Sequence, residues 1–329
     1  MKFLITGVAG LIGNHFSRYL LDQGYEVIGI DNFFGGYKDL VDKRVKLYEI
    51  DLLEIDKLNN IFIKEAPDIV YHFAAYAAEG LSPFIRNFNY NNNVICSINI
   101  VNCCIKYNIK KLIFTSSMAV YGNNNAPFNE NQILYPIDPY GIAKFTVEQD
   151  IKQANEQFGL DYSIVRPHNI IGIYQNIWDM YRNVIGIWIK KCIDNKDILV
   201  YGDGEQVRAF SDIKFYLYPL YLLSQNFNGQ IFNLGADTHF KLKDIALLVQ
   251  KTGDEFLGRK VNIKFVEERH EVKIAYCDHS KAKELLGFVD MTNIHQTIVE
   301  MFEWAIHQPN RVSKKMNYEI QKNIYSYWK

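Results

Sequence analysis

The sequence predicts an α/β protein with a doubly wound parallel sheet and a smaller C-terminal α/β lobe. Two observations predict this class: strand-like and helix-like segments alternate as far as residue 167, and a glycine-spaced turn follows the first strand. Strands that alternate with helices pair in parallel and carry helices on both faces of the sheet. We therefore expect one domain over residues 1–167 and a second over 168–329, interleaved because no linker composition separates them.

Six short apolar runs in the N-terminal half have the composition of strands, which favour β-branched and aromatic residues. They are KFLIT (2–6), YEVIGIDN (25–32), VKLYEIDL (45–52), DIVYHFAA (68–75), KKLIFTSS (110–117) and DYSIVRP (161–167). Apolar residues at helical spacing predict helices between these runs, over residues 11–23, 55–65, about 88–107 and 140–158.

The C-terminal half has a less regular pattern. Short strands are predicted at ILVYG (198–202) and VNIKFVE (261–267). Helices are predicted near 180–193, 212–225, 242–251 and 294–306. These elements are enough for a smaller α/β lobe beside the main sheet.

Composition and charge argue against several classes of function. The 329 residues carry a formal net charge of −1, so there is no basic field to attract nucleic acid or an anionic membrane. No apolar segment reaches the ~18 residues that a membrane-spanning helix needs. The five cysteines are scattered without the spacing of a metal site or a disulfide framework. We expect a cytoplasmic protein with no metal, nucleic acid or membrane partner.

The turn GVAGLIG (7–13) lies after the first predicted strand and opens the first helix. Glycines at Gly7, Gly10 and Gly13 permit a tight turn and a close approach of the backbone to a pyrophosphate. The N-terminus of the helix adds unpaired N–H groups and the positive end of its dipole. The segment therefore predicts a dinucleotide-binding turn.

Asp31 closes the second predicted strand, 18 residues after Gly13. A carboxylate at this place can accept hydrogen bonds from an adenosine ribose and repel a 2′-phosphate. No arginine follows at 32–36 to reverse that preference, so NAD is favoured over NADP. The alternative is an ordinary loop carboxylate, which the preceding glycine turn makes the weaker interpretation.

The stretch DPYGIAKFTVEQD (138–150) places Tyr140 and Lys144 four residues apart at a predicted helix start. Side chains at i and i+4 lie on one face of a helix, about one turn apart. Such a pair is common by chance on solvated helix faces, so it indicates chemistry only together with the other motifs.

Four segments in this order resemble the extended short-chain dehydrogenase/reductases, in particular their nucleotide-sugar epimerase branch typified by UDP-glucose 4-epimerase. The segments are GVAGLIG (7–13), Asp31, TSSMAVYG (115–122) and PYGIAK (139–144). The resemblance extends over nearly the whole chain through YHFAA (71–75), RPHNIIG (166–172), YGDGEQVRAFSDI (201–213) and RHEVKIAYCD (269–278). It implies an NAD-binding Rossmann domain at 1–167 and a nucleotide-sugar-binding lobe at 168–329.

The resemblance assigns catalytic roles to Ser117, Tyr140 and Lys144. Tyrosine has a pKa near 10, and a nearby ammonium together with the positive nicotinamide favours its phenolate. Tyr140 would then take the proton of a sugar hydroxyl while NAD takes the hydride. Lys144 would hold the nicotinamide ribose and lower the pKa of Tyr140, and Ser117 would hydrogen-bond the reacting oxygen. Ser116 is the close alternative to Ser117.

The same resemblance implies two sets of binding residues. The NAD site comprises Gly7, Gly10, Leu11, Ile12, Gly13, Asp31, Asn32, Asp51, Leu52, Phe73, Ala74 and Ala75, together with Tyr140 and Lys144. The substrate site comprises Ser117, Asn169, Tyr201, Arg208 and Arg269, of which the two arginines would grip the diphosphate. His168 is more often structural at such a position.

Met118 and Ala119 narrow the type of reaction. Related sugar 4,6-dehydratases carry an Asp–Glu pair directly after the Ser or Thr, and related decarboxylases carry a Glu there. Met118 and Ala119 cannot transfer protons. The expected reaction is therefore 4-epimerisation of a nucleotide sugar, with a UDP-hexose as the expected substrate, through a transient 4-keto sugar.

Two alternative functions remain open from the sequence. One is a nucleotide-sugar 4-dehydrogenase or 4-keto reductase, and the other is a non-catalytic NAD-binding regulator, against which the retained Ser117, Tyr140 and Lys144 argue. The sequence names neither the sugar nor the base. Two departures from the family bear on cofactor retention: Cys96 replaces a helix glycine, and Ala77 replaces a lysine that some epimerases place against the NAD diphosphate.

A homodimer is also expected. The segment VICSINIVNCCI (94–105) is apolar over more than one helical stripe, which is more than one contact with the sheet requires. Related enzymes pair two such helices from each subunit into a four-helix bundle.

Overall fold

The computed structural model describes residues 1–312 and 314–329. Within these residues the main sheet has seven parallel strands in the order β11-β6-β5-β4-β1-β2-β3. They are β1 (Lys2–Thr6), β2 (Glu26–Asp31), β3 (Lys46–Glu49), β4 (Ile69–His72), β5 (Lys111–Thr115), β6 (Tyr162–Pro167) and β11 (Gln230–Leu234). This sheet confirms the predicted doubly wound α/β class.

Helices cover both faces of the sheet. Successive side chains of a strand point to opposite faces, so each strand contributes to two hydrophobic cores, one on each face. On one face, Phe3 and Ile5 pack with α1 (Leu11–Asp22), α7 (Leu217–Gln225) and α9 (Ser280–Leu286). On the other, Leu4 packs with α2 (Ile55–Glu65), α4 (Cys96–Lys106) and α5 (Pro139–Phe158). The central strands β1, β4 and β5 are therefore buried on both sides, as their near-continuous hydrophobic sequences predict.

The helix predicted over 88–107 begins earlier and is not uniform. It consists of α3 (Arg86–Tyr90), a π-helical turn (Asn91–Ile95) and α4. Local π-helical turns recur at functional sites, and this one contributes Asn92 to a cavity described below.

Strand β11 was not predicted from the sequence. It belongs to the C-terminal half of the chain, yet it pairs in parallel with β6, with Ile231 opposite Ile164. Its sequence, QIFNL, is short and partly polar, so it carries little periodic signal. The main sheet thus draws on sequence from both sides of residue 167.

The C-terminal lobe packs three helices around its own apolar core. These are α6 (Val184–Ile193), α8 (Leu242–Leu257) and α10 (Ile294–Ile306). Five two- to four-residue strands complete short sheets: β8 (Ile198–Tyr201) with β13 (Ile263–Val266), and β9 (Val207–Ala209) with β12 (His239–Lys241) and β14 (Ile274–Ala275). Strands β7 (Ile170–Ile171) and β10 (Ser211–Asp212) form a further pair.

Several predicted helix boundaries in this lobe were wrong. The helix expected from residue 180 begins only at Val184, because Asn183 has a φ of +60° and cannot continue a right-handed helix. Residues 213–216 form a 3₁₀ turn before α7, and α8 continues past 251 to Leu257. No helix in the described part of the chain is long and apolar enough to cross a membrane.

Candidate active site

The site lies at the carboxyl ends of β1, β2, β4 and β5, where the strand order reverses between β1 and β4. In open α/β sheets this reversal opens a crevice that binds ligands. Two adjoining cavities occupy it. We call the one beside Asp31 the outer cavity and the one beside Tyr140 the central cavity.

The glycine turn forms the wall between the two cavities. Gly7 has a φ of +70°, and a Cβ there would lie 2.7 Å from the Ala74 nitrogen. A Cβ on Gly13 would lie 2.3 Å from the carbonyl oxygen of Gly7. Gly10 is the N-cap of α1. Only glycine fits at Gly7 and Gly13, and the space kept free at the helix N-terminus suits a dinucleotide diphosphate.

Asp31 is held at the outer cavity by two backbone donors. Its Oδ2 accepts a hydrogen bond from Ala9 N at 2.9 Å, and its Oδ1 accepts one from Phe33 N at 2.8 Å. Burial raises the pKa of Asp31, and these two hydrogen bonds oppose the rise. The carboxylate is therefore fixed between the glycine turn and the cavity, where a ribose could reach it.

The predicted NAD-binding residues line these two cavities. The outer cavity is lined by Gly7, Gly10, Asp31, Asn32, Asp51, Leu52, Phe73, Ala74 and Ala75. The central cavity is lined by Gly7, Gly10, Leu11, Ile12, Gly13, Phe73, Ala75, Tyr140 and Lys144. The chain thus has a continuous path, with the glycine turn at its centre, for an extended dinucleotide.

Ser117, Tyr140 and Lys144 meet in the central cavity because α5 packs against the end of β5. Lys144 Nζ donates a hydrogen bond to the main-chain oxygen of Thr115 at 2.7 Å. It lies 6.0 Å from the centre of the Tyr140 ring. Ser117 Oγ accepts a hydrogen bond from Ala119 N at 3.1 Å, which leaves its hydroxyl proton available to a ligand. Ser116 lines the same cavity.

The residues at the start of α5 explain how this helix approaches the backbone that follows β5. Asp138 caps it, with Oδ1 accepting a hydrogen bond from Gly141 N at 2.9 Å, and Pro139 occupies the first turn. A Cβ at Gly141 would lie 2.7 Å from the carbonyl oxygen of Ala119. Glycine at this position therefore lets α5 contact the backbone that follows β5.

Burial controls the charge state of the Tyr–Lys pair. It lowers the pKa of the Lys144 ammonium to about 7, and the Glu148 carboxylate opposes this shift. It raises the pKa of the Tyr140 phenol, and the charge of Glu79 raises it further, while Ser117 lowers it. The isolated site therefore favours neutral Tyr140, and a bound cationic group would be needed to favour its phenolate.

A buried ion pair joins α5 to the sheet. Arg166 donates to both carboxylate oxygens of Glu148, at 2.9 and 2.6 Å, and to the Tyr121 hydroxyl at 2.8 Å. The Tyr121 hydroxyl in turn donates to Asn233 Oδ1 at 2.7 Å. The network links α5, β6 and β11, so it fixes the helix that carries Tyr140 and Lys144.

The predicted substrate residues Asn169, Tyr201, Arg208 and Arg269 also line the central cavity. Arg208 donates to Val272 O at 2.6 Å and to Glu271 Oε2 at 3.0 Å. The Arg269 guanidinium lies 3.5 Å from the centre of the Tyr201 ring, and its Nε donates to the Tyr327 hydroxyl at 3.0 Å. Asn169 donates to Ala209 O at 2.9 Å. Both arginines are thus held in place at the cavity wall.

His168 also reaches the central cavity, but its ring packs on that of His279, with centroids 5.0 Å apart and planes 16° from parallel. Burial lowers the pKa of His168 to about 3, so its ring is neutral. This packing is that of a core residue, which agrees with the structural interpretation.

Other residues of the central cavity were not assigned a ligand role from the sequence. They are Glu79, Asp138, Arg182, Asn183, His270 and Glu271. Asp138 stood out only as the residue before Pro139, and Glu79 lies in a segment that follows no recognisable specificity pattern. Arg182 precedes α6 and carries no motif, so only its position in space could reveal it.

Comparisons with known proteins agree with this geometry. A sequence model of the NAD-dependent epimerase/dehydratase family matches residues 3–235. A candidate UDP-glucose 4-epimerase of Methanocaldococcus jannaschii is 31% identical over 92% of this chain and 97% of its own length.

Two solved structures share both fold and sequence with the chain. The UDP-glucose 4-epimerase of Thermotoga maritima, solved with UDP-glucose, has a TM-score of 0.86 at 28% identity and covers 93% of this chain and 99% of its own. The UDP-N-acetylglucosamine 4-epimerase of Methanobrevibacter ruminantium, solved with UDP-N-acetylmuramic acid, has a TM-score of 0.83 at 28% identity, with coverages of 93% and 98%. Since the family model covers more than half of the sequence, the chain belongs to the NAD-dependent epimerase/dehydratase family.

Proposed function

We propose that the protein is an NAD-dependent nucleotide-sugar 4-epimerase that acts on a UDP-hexose. One observation carries the proposal: Ser117, Tyr140 and Lys144 line one cavity together with the glycine turn and with Arg208 and Arg269. A nucleotide sugar bound by its diphosphate at the arginines would extend its sugar toward Tyr140. The relatives named for action on UDP-sugars support the choice of substrate.

Tyr140 is the acid/base in this proposal. It removes the proton of the sugar 4-hydroxyl and later returns it, while the Ser117 hydroxyl donates a hydrogen bond to the same oxygen. NAD, when bound, would supply the chemistry of reversible hydride transfer at C4. Lys144, held by Thr115 O, lies beside the phenol, and its ammonium form together with the positive nicotinamide of bound NAD would favour the phenolate.

Met118 and Ala119 support epimerisation over dehydration. Both line the central cavity directly after Ser117, and neither can carry a proton. Loss of water across C5 and C6 requires a base for the C5 proton and an acid for the departing hydroxyl. Tyr140 already serves the C4 oxygen, so the 4-keto sugar turns in the cavity and receives the hydride on its other face. Glu79 is a further proton carrier in the cavity, and the following experiment tests for its use in dehydration.

The experiment is to incubate the purified protein in D₂O with UDP-glucose, UDP-N-acetylglucosamine and UDP-glucuronate, and then to identify the products by NMR and mass spectrometry. Epimerisation gives the C4 epimer with no deuterium bound to carbon and needs no added NAD. A product about 18 Da lighter, or deuterium on carbon, would contradict the proposal in favour of dehydration or chemistry at C3 or C5. A stable keto product that requires added NAD would instead identify a dehydrogenase.

The proposal includes a homodimer formed through the helices around α4 and α5. Ile95 and Ile142 are 45% and 39% exposed in these helical segments, so both side chains are available to contact a second subunit. Light scattering at micromolar concentration should detect a species of twice the 38.4 kDa chain mass. Ile95→Glu should give the monomer, whereas the same change at exposed Ile133 should not. A monomeric wild-type protein would contradict this part of the proposal.

A cytoplasmic location also belongs to the proposal. All five cysteines, Cys96, Cys103, Cys104, Cys192 and Cys277, are buried and unpaired in the described chain. Such usage is typical of reducing compartments.

A further inference from the structure

We propose that Arg182 is the cation that holds the NAD diphosphate, from the side of the crevice opposite the glycine turn. This goes beyond the proposed sugar chemistry, because it assigns a cofactor-binding role to a residue of the C-terminal lobe. It depends on NAD binding and not on which sugar reacts.

The position of Arg182 is the first argument. Five residues line both cavities: Gly7, Gly10, Phe73, Ala75 and Arg182. The outer cavity contains Asp31, suited to an adenosine ribose, and the central cavity contains Tyr140, where the nicotinamide half must lie. The diphosphate joins the two halves, so it must cross the region that both cavities share. The glycine turn borders that shared region. Arg182 is the residue among the five that brings a positive charge to it.

The charges around the outer cavity give the second argument. Arg182 is the single Lys or Arg side chain among the described residues that line it. Asp31 and Asp51 face the same cavity, so a diphosphate would meet net negative charge there without a compensating cation. The chain also has Ala77 where the family resemblance places a lysine. Arg182 restores the missing charge from a different part of the sequence.

The guanidinium is already oriented before a ligand binds. Arg182 Nε donates to Asp179 Oδ2 at 2.8 Å, and Nη2 donates to Gly35 O at 3.2 Å. The guanidinium carbon lies 4.6 Å from the centre of the Tyr76 ring. Its side chain is only 11% exposed. Nη1 donates to no described residue, so the fork keeps donors for two phosphate oxygens.

The contact with Gly35 extends the effect to the loop that follows β2. A Cβ on Gly35 would lie 2.8 Å from Arg182 Nη2, so glycine is needed for the guanidinium to lie there. Asn176 Nδ2 also donates to Gly35 O, at 3.0 Å. The segment before α6 therefore holds this loop against the outer cavity. With its diphosphate bound to Arg182, NAD would contact both the N-terminal and the C-terminal halves of the chain. These contacts would slow the release of NAD.

The test compares ligands with and without a diphosphate on NAD-free protein. Calorimetric titration measures the affinities for NAD and ADP, and ligand-observed NMR measures the affinity for adenosine. Arg182→Met should weaken NAD and ADP binding by about 10- to 100-fold, the usual effect of losing a charged hydrogen-bond donor. Adenosine binding should change less than about twofold, since adenosine lacks the group that Arg182 contacts.

Arg259→Met is the matched control, because it removes an exposed arginine of the same lobe. It should leave binding of all three ligands unchanged. Arg182→Lys keeps a charge but loses the fork, so it should bind NAD and ADP more tightly than Arg182→Met and less tightly than wild type. If Arg182→Met does not fold, the same comparison of ligands on Arg182→Lys decides the question.

Unchanged NAD and ADP affinity would overturn the assignment. Equal losses for ADP and adenosine would also overturn it, since they would mean that Arg182 only supports the shape of the site. Neither result bears on epimerase activity, which the D₂O experiment measures separately.

Discussion

Lys144 Nζ donates a hydrogen bond to the main-chain oxygen of Thr115, 2.7 Å away and two residues before Ser117. This contact joins α5 to the end of β5, so Lys144 and Ser117 keep a fixed separation. It uses one ammonium proton of Lys144 and leaves two for a ligand. The relative positions of Ser117, Tyr140 and Lys144 therefore depend on the packing of α5 against the end of β5.

Tyr140→Phe removes the titratable hydroxyl and little else. Turnover should fall by about 10²–10⁴-fold, the usual cost of losing a general acid/base. The melting temperature and the NAD content of the purified protein should stay close to wild type, as a coupled assay and cofactor extraction can show. Tyr135→Phe, at an exposed position, is the control. Near wild-type turnover of the Tyr140 variant would refute its catalytic role.

Asp31 should make NAD bind far more tightly than NADP. Its carboxylate accepts from Ala9 N and Phe33 N and faces the outer cavity, where it would repel a 2′-phosphate. Calorimetric titration of NAD-free protein with each cofactor measures the preference, and Asp31→Asn should reduce it. Equal affinities for NAD and NADP in the wild-type protein would show that Asp31 does not lie at the ribose.

Glu79→Gln should shift the acidic limb of the rate–pH profile to lower pH. Burial, with the charge of Asp138, raises the pKa of Glu79 to about 7, so the carboxyl gains its negative charge as pH rises through neutrality. That charge disfavours the Tyr140 phenolate, and an uncharged glutamine removes the effect. The shift should be a few tenths of a pH unit to about one unit.

The control for this shift is Glu205→Gln, because Glu205 is exposed and bound to Lys241 and Lys243 at the surface. Its profile should match wild type. A Glu79→Gln profile with an unmoved acidic limb would mean that Glu79 does not influence Tyr140 during turnover.

Glu148→Gln should lower the free energy of unfolding by about 3–5 kcal/mol, because it leaves the Arg166 guanidinium buried without its counter-charge. The two side chains are 0% and 2% exposed and meet at 2.6 Å. Urea unfolding followed by circular dichroism measures the change. Asp22→Asn, which breaks an exposed pair with Arg44, should cost less than about 1 kcal/mol. Similar losses for the two variants would contradict the role given to the buried pair.

The residues that could be predicted are those whose role follows from local spacing. The glycines at 7, 10 and 13 stand in one turn, and Tyr140 and Lys144 stand four residues apart on one helix. In both cases the backbone itself brings the groups together, so a short stretch of sequence indicates the chemistry. The family resemblance then supplied the order of these motifs and the roles of Ser117, Arg208 and Arg269.

The sequence by itself determined the doubly wound class, the glycine turn, the acid that ends β2 and the helix that carries Tyr140 and Lys144, because each depends on periodicity or on neighbours within a few residues. Only the tertiary structure decided that β11 joins the main sheet, that Arg166 pairs with Glu148, and that Arg182 and Glu79 enter the crevice. Arg182 lies 175 residues from Gly7, a separation over which a single sequence carries no spacing signal. Packing of the two parts of the chain brings these groups together, so their roles could be recognised only in the folded protein.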